Sequence, residues 1–350
     1  MNPFKKLILL TLFFTQILCA QNTIRVYIMA GQSNMTGTAN PLVSGLPADL
    51  LDSLSNVRIK VNGDVNYNWQ ALRPGLGATS ANFGPELTFG RDALNYFNGD
   101  LHGDKIAIIK FSHGSTTLNE DWRPPSSGGT VGWLYTGFIN DLTNSLATLD
   151  SNYQVEIMGI CWMQGEYDAL DITKANNYQT NLSNFISDIR AQLNLPQLPF
   201  VIGMIDDSYR WTYRAVVRQA ETTVAKNTNA VSIFDTKGLG TDGIYYNMEG
   251  QLELGHFFFS NFSRLNSVCS SCNDANIKVF PNPSMGSLNI TYSDIATDYS
   301  YKIRNMQGAE VLSGKLYIGY EVDISTLAAG TYFIYLTTNK TNIIKKLIKI

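Results

Sequence analysis

Five short apolar runs constrain this chain more than any other feature. They are Ile24–Met29, Ile106–Lys110, Val155–Cys161, Phe200–Ile205 and Val231–Phe234. Each is too short for a helix and rich in β-branched residues, as a strand buried on both faces requires. Between them apolar residues recur every three to four positions. Leu134, Phe138, Leu142, Leu146 and Leu149 form one set, Tyr178, Leu182, Phe185, Ile189 and Leu193 another, and Val216, Ala220 and Val224 a third. Strands alternating with amphipathic helices predict an α/β fold, a parallel sheet covered on both sides. The alternation ends near Phe262.

Such sheets bind ligands at the carboxyl ends of their strands, and four chemistry-bearing segments fall there. Gly31-Gln32-Ser33-Asn34 follows the first strand, and Gly31 permits a tight turn that presents Ser33 as a nucleophile. Ser112-His113-Gly114-Ser115-Thr116 follows the second, Trp162-Met163-Gln164-Gly165-Glu166 the third, and Asp242-Gly243-Ile244-Tyr245 the fifth. Glu86, after Pro85, is expected to open a helix, and Glu166 to brace the Gln164 loop. The stretch from Trp122 to Tyr135, with two tryptophans, two prolines and several glycines, reads as a loop over the site. Trp122 and Trp133 could stack on a sugar or serve the core.

The ends carry other signals. Lys5-Lys6, the apolar stretch Leu7–Leu18 and Ala20 predict a signal peptide over residues 1–20. An α/β domain is expected over 21–265, a linker over 266–276, and an all-β sandwich over 277–350 built from short alternating runs such as Ser287–Tyr292 and Thr331–Leu336. Cys161 reads as an inert buried thiol, and Cys269 and Cys272 as a local disulfide in an exported protein. With a net charge of −3 and no basic stripe, nucleic-acid binding is not expected. Neither is stable membrane insertion.

Phe83-Gly-Pro-Glu86, the Trp-Met-Gln-Gly-Glu run and Asp242-Gly-Ile-Tyr-Tyr-Asn-Met-Glu-Gly-Gln251 join the Gly-Gln-Ser-Asn turn in one set. Together they resemble the SGNH-hydrolase superfamily, in the branch of sialate O-acetylesterases and family 6 acetylxylan esterases. The resemblance implies a flavodoxin-like three-layer fold and an acetylated carbohydrate substrate, with no metal or cofactor. It also implies an acetyl-Ser33 intermediate and an oxyanion hole from the backbone of Ser33, that of Gly114 or Ser115, and the Gln164 amide. Gln32, Asn34 and Trp122 are the expected substrate contacts. Relatives read Gly-Gly-Thr where this chain has Gly114-Ser115-Thr116. They also end in Asp-Gly-x-His, the histidine acting as base and the aspartate orienting it. Here Asp242 is kept and Tyr245 replaces the histidine. With a pKa near ~10, a tyrosine is a poor base at neutral pH. Of three histidines, His102 precedes the second strand and His256 lies down the last helix, which leaves His113 as the possible substitute. The alternative is a weakly active or inactive relative that binds carbohydrate; a lipid or thioester hydrolase is disfavoured because no apolar lid appears.

The last segment has its own resemblance. Val279-Phe-Pro-Asn-Pro283, Gly286, the Ile303…Gly308 hairpin, Asp323-Ile-Ser-Thr-Leu327, Gly330-Thr-Tyr332 and Lys345-Lys-Leu347 resemble the C-terminal sorting domain of type IX secretion in Bacteroidetes. That implies the export machinery as partner, and a secreted or cell-surface location reached through the periplasm.

Overall fold

A computed structural model describes residues 22–38, 42–61, 68–97, 105–266, 278–280, 282–291, 299–316, 321–337 and 342–350. The expected signal peptide, most of the linker with Cys269 and Cys272, and His102 lie outside these residues.

Strand β1 (Thr23–Gly31) is the spine of a seven-stranded sheet. It pairs in parallel with β4 (Lys105–Ser112) on one side and β5 (Gln154–Met163) on the other. Beyond β5 follow β6 (Phe200–Gly203) and β7 (Val231–Phe234), also parallel. These are the five strands expected from the apolar runs. Numbered along the chain they stand in the order 2-1-3-4-5, the flavodoxin-like arrangement, whose crevice opens between its first and third strands. Here those are β1 and β5.

Two further strands escaped the sequence reading. β2 (Leu54–Val61) pairs in parallel with β4, and β3 (Gln70–Leu72) closes that edge antiparallel, so the sheet is mixed. β2 alternates Val57, Ile59 and Val61 with Arg58 and Lys60, which mimics an exposed strand. In fact Lys60 is fully buried and ion-paired to Asp141 of helix α3 (Trp133–Ala147).

Helices cover both faces. α3, α4 (Ile172–Leu193) and α5 (Arg214–Asn227) realise the expected periodic patterns and pack Phe138, Tyr178, Phe185, Ile189 and Val217 against one face of β1, β5 and β6. Asp171 caps α4, its carboxylate accepting the amides of Thr173 and Lys174. α2 (Glu86–Tyr96) and α6 (Met248–Asn266) cover the other face, where Phe89, Phe258, Phe259 and Phe262 surround Tyr27 and Met29. Each such ring removed from water stabilises the fold by about 1.5–3 kcal/mol. A single turn of helix, α1 (Ser33–Thr36), follows β1 directly.

The C-terminal strands β8 (Lys278–Phe280), β9 (Ser287–Thr291), β10 (Tyr299–Asn305), β11 (Glu310–Leu316), β12 (Glu321–Asp323), β13 (Gly330–Thr337) and β14 (Asn342–Lys349) form antiparallel sheets ordered β11-β10-β13-β14 and β12-β9-β8. Leu288, Ile303, Val322, Ile334 and Leu347 are among the residues of their own core. Among the described residues no helix is long and apolar enough to cross a membrane.

Candidate active site

The site starts at the end of β1. Gly31 has φ +152°, and a Cβ there would fall 2.0 Å from the carbonyl oxygen of Met163 on β5. Only glycine lets the two strand ends come this close. The next amide, Gln32, donates to that same Met163 carbonyl at 2.9 Å. The chain then turns into α1 with Ser33 as its first residue, at the crevice between β1 and β5.

The segment after β4 lies against this turn. The His113 amide donates to the Gly31 carbonyl at 3.0 Å, and a Cβ on Gly114 would sit 3.5 Å from Cβ of Ser33. Ser115 has φ +60°, the left-handed region. This region favours glycine, and a serine pays about 1 kcal/mol or more to stay there. Thr116 holds the turn by donating its hydroxyl to the His113 carbonyl at 2.8 Å and accepting from the Trp122 indole at 3.0 Å. The tight turn survives with a serine in it.

Asn34 makes the densest set of contacts. Its Nδ2 donates to Oε1 of Glu166 at 2.8 Å and to the Ile244 carbonyl at 3.1 Å. Its Oδ1 accepts the Tyr246 amide at 3.2 Å, and its carbonyl accepts from Gln251 at 3.1 Å. The residue after Ser33 thus staples the Asp242–Tyr246 segment to the turn that carries Ser33. Glu166 braces that staple, and burial pushes its carboxyl up to about 7. Asp168 is likewise buried and pushed up to about 6, while it accepts the amides of Leu118 and Asn119 and the Gln164 side chain.

Four of the expected site residues have partners inside the fold. Gln164 is fully buried, and its Nε2 donates to Asp168 at 2.7 Å and to the Thr116 carbonyl at 2.9 Å. Both protons are engaged, so this amide braces two loops instead of facing an oxyanion. Asn34 and Gln32 are buried and engaged, Gln32 through Oε1 at 3.5 Å from the Gly165 amide, so they build the turn and offer little to a substrate. Trp122 is 0% exposed and packs edge to face on Phe111 and Trp162, which makes it core. Trp133, by contrast, is 58% exposed and opens α3.

The remaining candidates are placed as follows. Asp242 Oδ1 accepts the amides of Ile244 and Tyr245 at 2.9 and 2.8 Å, which shapes the turn on which half-buried Tyr245 stands. His113 is exposed, with Nδ1 3.0 Å from the Gly114 carbonyl. His256 pairs with Asp92 at 2.5 Å, from α6 to α2 and away from Ser33. Glu86 opens α2 as expected, but its carboxylate also pairs with buried Lys110 at 2.6 Å and accepts the Gly84 amide. The sequence reading missed Lys110, a cation inside an apolar run. It donates to the Thr36 and Leu76 carbonyls as well, and so ties the end of α1 to the sheet. Cys161 is buried and free. Among the described residues no group of three or more His, Cys, Asp or Glu is placed to hold a metal ion.

Residues 23–264 match the family model described as carbohydrate esterase, sialic acid-specific acetylesterase. The chain belongs to this family. The sialic acid-specific acetylesterase family is one of carboxylic ester hydrolases, and this member resembles a probable carbohydrate esterase of Arabidopsis thaliana at 26% identity, over 68% of this chain and 91% of that protein. A crystal structure of an Arabidopsis thaliana protein aligns with TM-score 0.57 and 23% identity, over 70% of this chain and 99% of that one. The structure of NanS aligns with TM-score 0.54 and 14% identity, over 69% and 97%. These superpositions show the fold. Residues 278–350 match the secretion system C-terminal sorting domain.

Proposed function

We propose that this esterase removes O-acetyl groups from a carbohydrate by way of an acetyl-Ser33 intermediate. The observation that carries the reading is the position of Ser33, on a glycine-enforced turn at the crevice between β1 and β5, with Gly114 packed against it. In this mechanism the Ser33 hydroxyl gives its proton to the base and attacks the acetyl carbonyl, and the sugar O–acyl bond then breaks with the sugar leaving as its hydroxyl, protonated by that base. The backbone amides of Ser33 and of Gly114 or Ser115 receive the developing oxyanion, and water later releases acetate. The sugar would be of the sialate or xylan type.

The proton acceptor in this reading is His113. Its Nδ1 lies at hydrogen-bond distance from the Gly114 carbonyl, which can only accept. Nδ1 therefore carries the proton, and Nε2 is left with the basic lone pair on an exposed ring beside the oxyanion segment. Tyr245 keeps the place of the family's histidine without its chemistry. Acetate release from acetylated xylan, O-acetylated sialic acid and p-nitrophenyl acetate tests the proposal; no release from any of them would leave a protein that only binds sugar.

Residues 278–350 supply the address for type IX export in the same reading, which the family match supports. A chain ending near Cys272 should still fold and should accumulate in the periplasm of its host. Normal delivery to the surface or medium without that segment would end the address reading.

A further inference from the structure

The structure assigns Trp133 as the stacking platform for the pyranose ring of the acetylated substrate, a subsite that rests on the esterase reading above. The indole stands at the active edge by a short series of contacts. Gly114 lies against Ser33, and the ring of the adjacent His113 meets Trp133 edge to face, with centroids 5.2 Å apart and planes at 82°. Although it is 58% exposed, the ring is held in place. Its Nε1 donates to Asp121 Oδ1 at 2.9 Å, and Asp121 Oδ2 accepts the amide of Thr117 at 2.8 Å.

The backbone beneath it is closed as well. The Leu134 amide donates to the Asp121 carbonyl at 2.9 Å, and a Cβ on Gly132 would fall 2.1 Å from that carbonyl oxygen. The strap 121–133 thus folds onto itself and fixes the start of α3. An indole that is rigid before binding loses little rotamer freedom when a ligand covers it. Its exposed surface is apolar, while its one donor is already satisfied by Asp121. The ligand it fits is a flat apolar patch, which the C–H face of a pyranose provides. Trp122, on the same strap, spends both faces on the core and cannot share this role.

The test uses the full chain with Ser33→Ala, so that the sugar is bound and not turned over. Titration calorimetry is run with an acetylated xylo-oligosaccharide and, separately, with O-acetylated sialic acid. Adding Trp133→Ala should weaken binding of at least one sugar by about tenfold, the equivalent of ~1.4 kcal/mol, and Trp133→Phe should recover part of it. Trp69→Ala is the control, because Trp69 bonds Thr148 beyond the far end of α3 and should leave affinity unchanged. The sugar whose affinity falls is the one that occupies the platform. Equal affinities in the parent and Trp133→Ala, an equal loss in Trp69→Ala, or no binding of either sugar would each overturn the assignment. Failure of the catalytic reading shows separately, as undiminished acetate release in the Ser33→Ala protein.

Discussion

The two sides of the site are built differently. Around Ser33, the residues Gln32, Ser33, Asn34, Gln164, Glu166 and Asp168 are all buried, and loops after three strands lock together through side chains. Around the turn that carries Tyr245, Thr241 and Asp242 are exposed, and the turn is held mainly through backbone atoms. Asp242 bonds amides of its own turn, while Asn34 grips the Ile244 carbonyl and the Tyr246 amide. None of these bonds uses the side chain at position 245. A histidine can therefore give way to a tyrosine there without disturbing the frame. The buried residues around Ser33 have less freedom, because Asn34, Gln164, Glu166 and Asp168 bond one another's loops through their side chains.

The largest expected effect sharpens the role of Ser33. Ser33→Ala should lower acetate release by roughly 10³-fold or more, with little change in melting temperature; turnover close to that of the parent would remove the nucleophile assignment. His113→Ala comes next and should cost about 10²–10⁴-fold. If His113 is retained as base, Tyr245→His should add little, and a gain of comparable size in that variant would move the base to the other side of the site.

Glu166 tests the buried side through pH. Its carboxyl is pushed up to about 7 by burial, so between the ordinary value near 4.5 and about 7 the folded protein binds a proton that the unfolded chain has released. Stability tied to this group is fully present at low pH and is lost as pH rises through that window, by up to about 3 kcal/mol. Glu166→Gln should flatten that part of the profile of unfolding free energy against pH; an unchanged slope would contradict the buried staple. The smallest effect belongs to Ser115→Gly, which relieves a left-handed serine and should stabilise the fold by about 0.5–1 kcal/mol in denaturant unfolding. A loss of stability there would mean that the serine side chain has a partner that matters.

Much of this was legible in the sequence because it follows from local pattern. β-Branched apolar runs gave the five central strands, three-to-four spacing gave α3, α4 and α5, and Gly31 marked the turn that presents Ser33. Strand ends gather at one edge of a parallel sheet, so reading the four segments that follow strands was enough to collect Ser33, Gly114, Gln164 and Asp242. β2 was hidden because Lys60 looks exposed until its partner, Asp141, is supplied by a helix far along the chain.

Partner choice is what the sequence could not hold. It gave Gln164, Asn34 and Trp122 roles facing the oxyanion or the substrate, whereas each is buried with partners inside the fold. A polar or aromatic side chain acts on a substrate only if nothing else has claimed it, and those claims come from distant segments. Asp168 and Thr116 take Gln164, Glu166 and Ile244 take Asn34, and the rings of Phe111 and Trp162 take Trp122. Local sequence determined which chemistry stands at the sheet edge. Long-range packing decided which of those groups remain free, because a buried donor must be satisfied wherever the fold offers an acceptor.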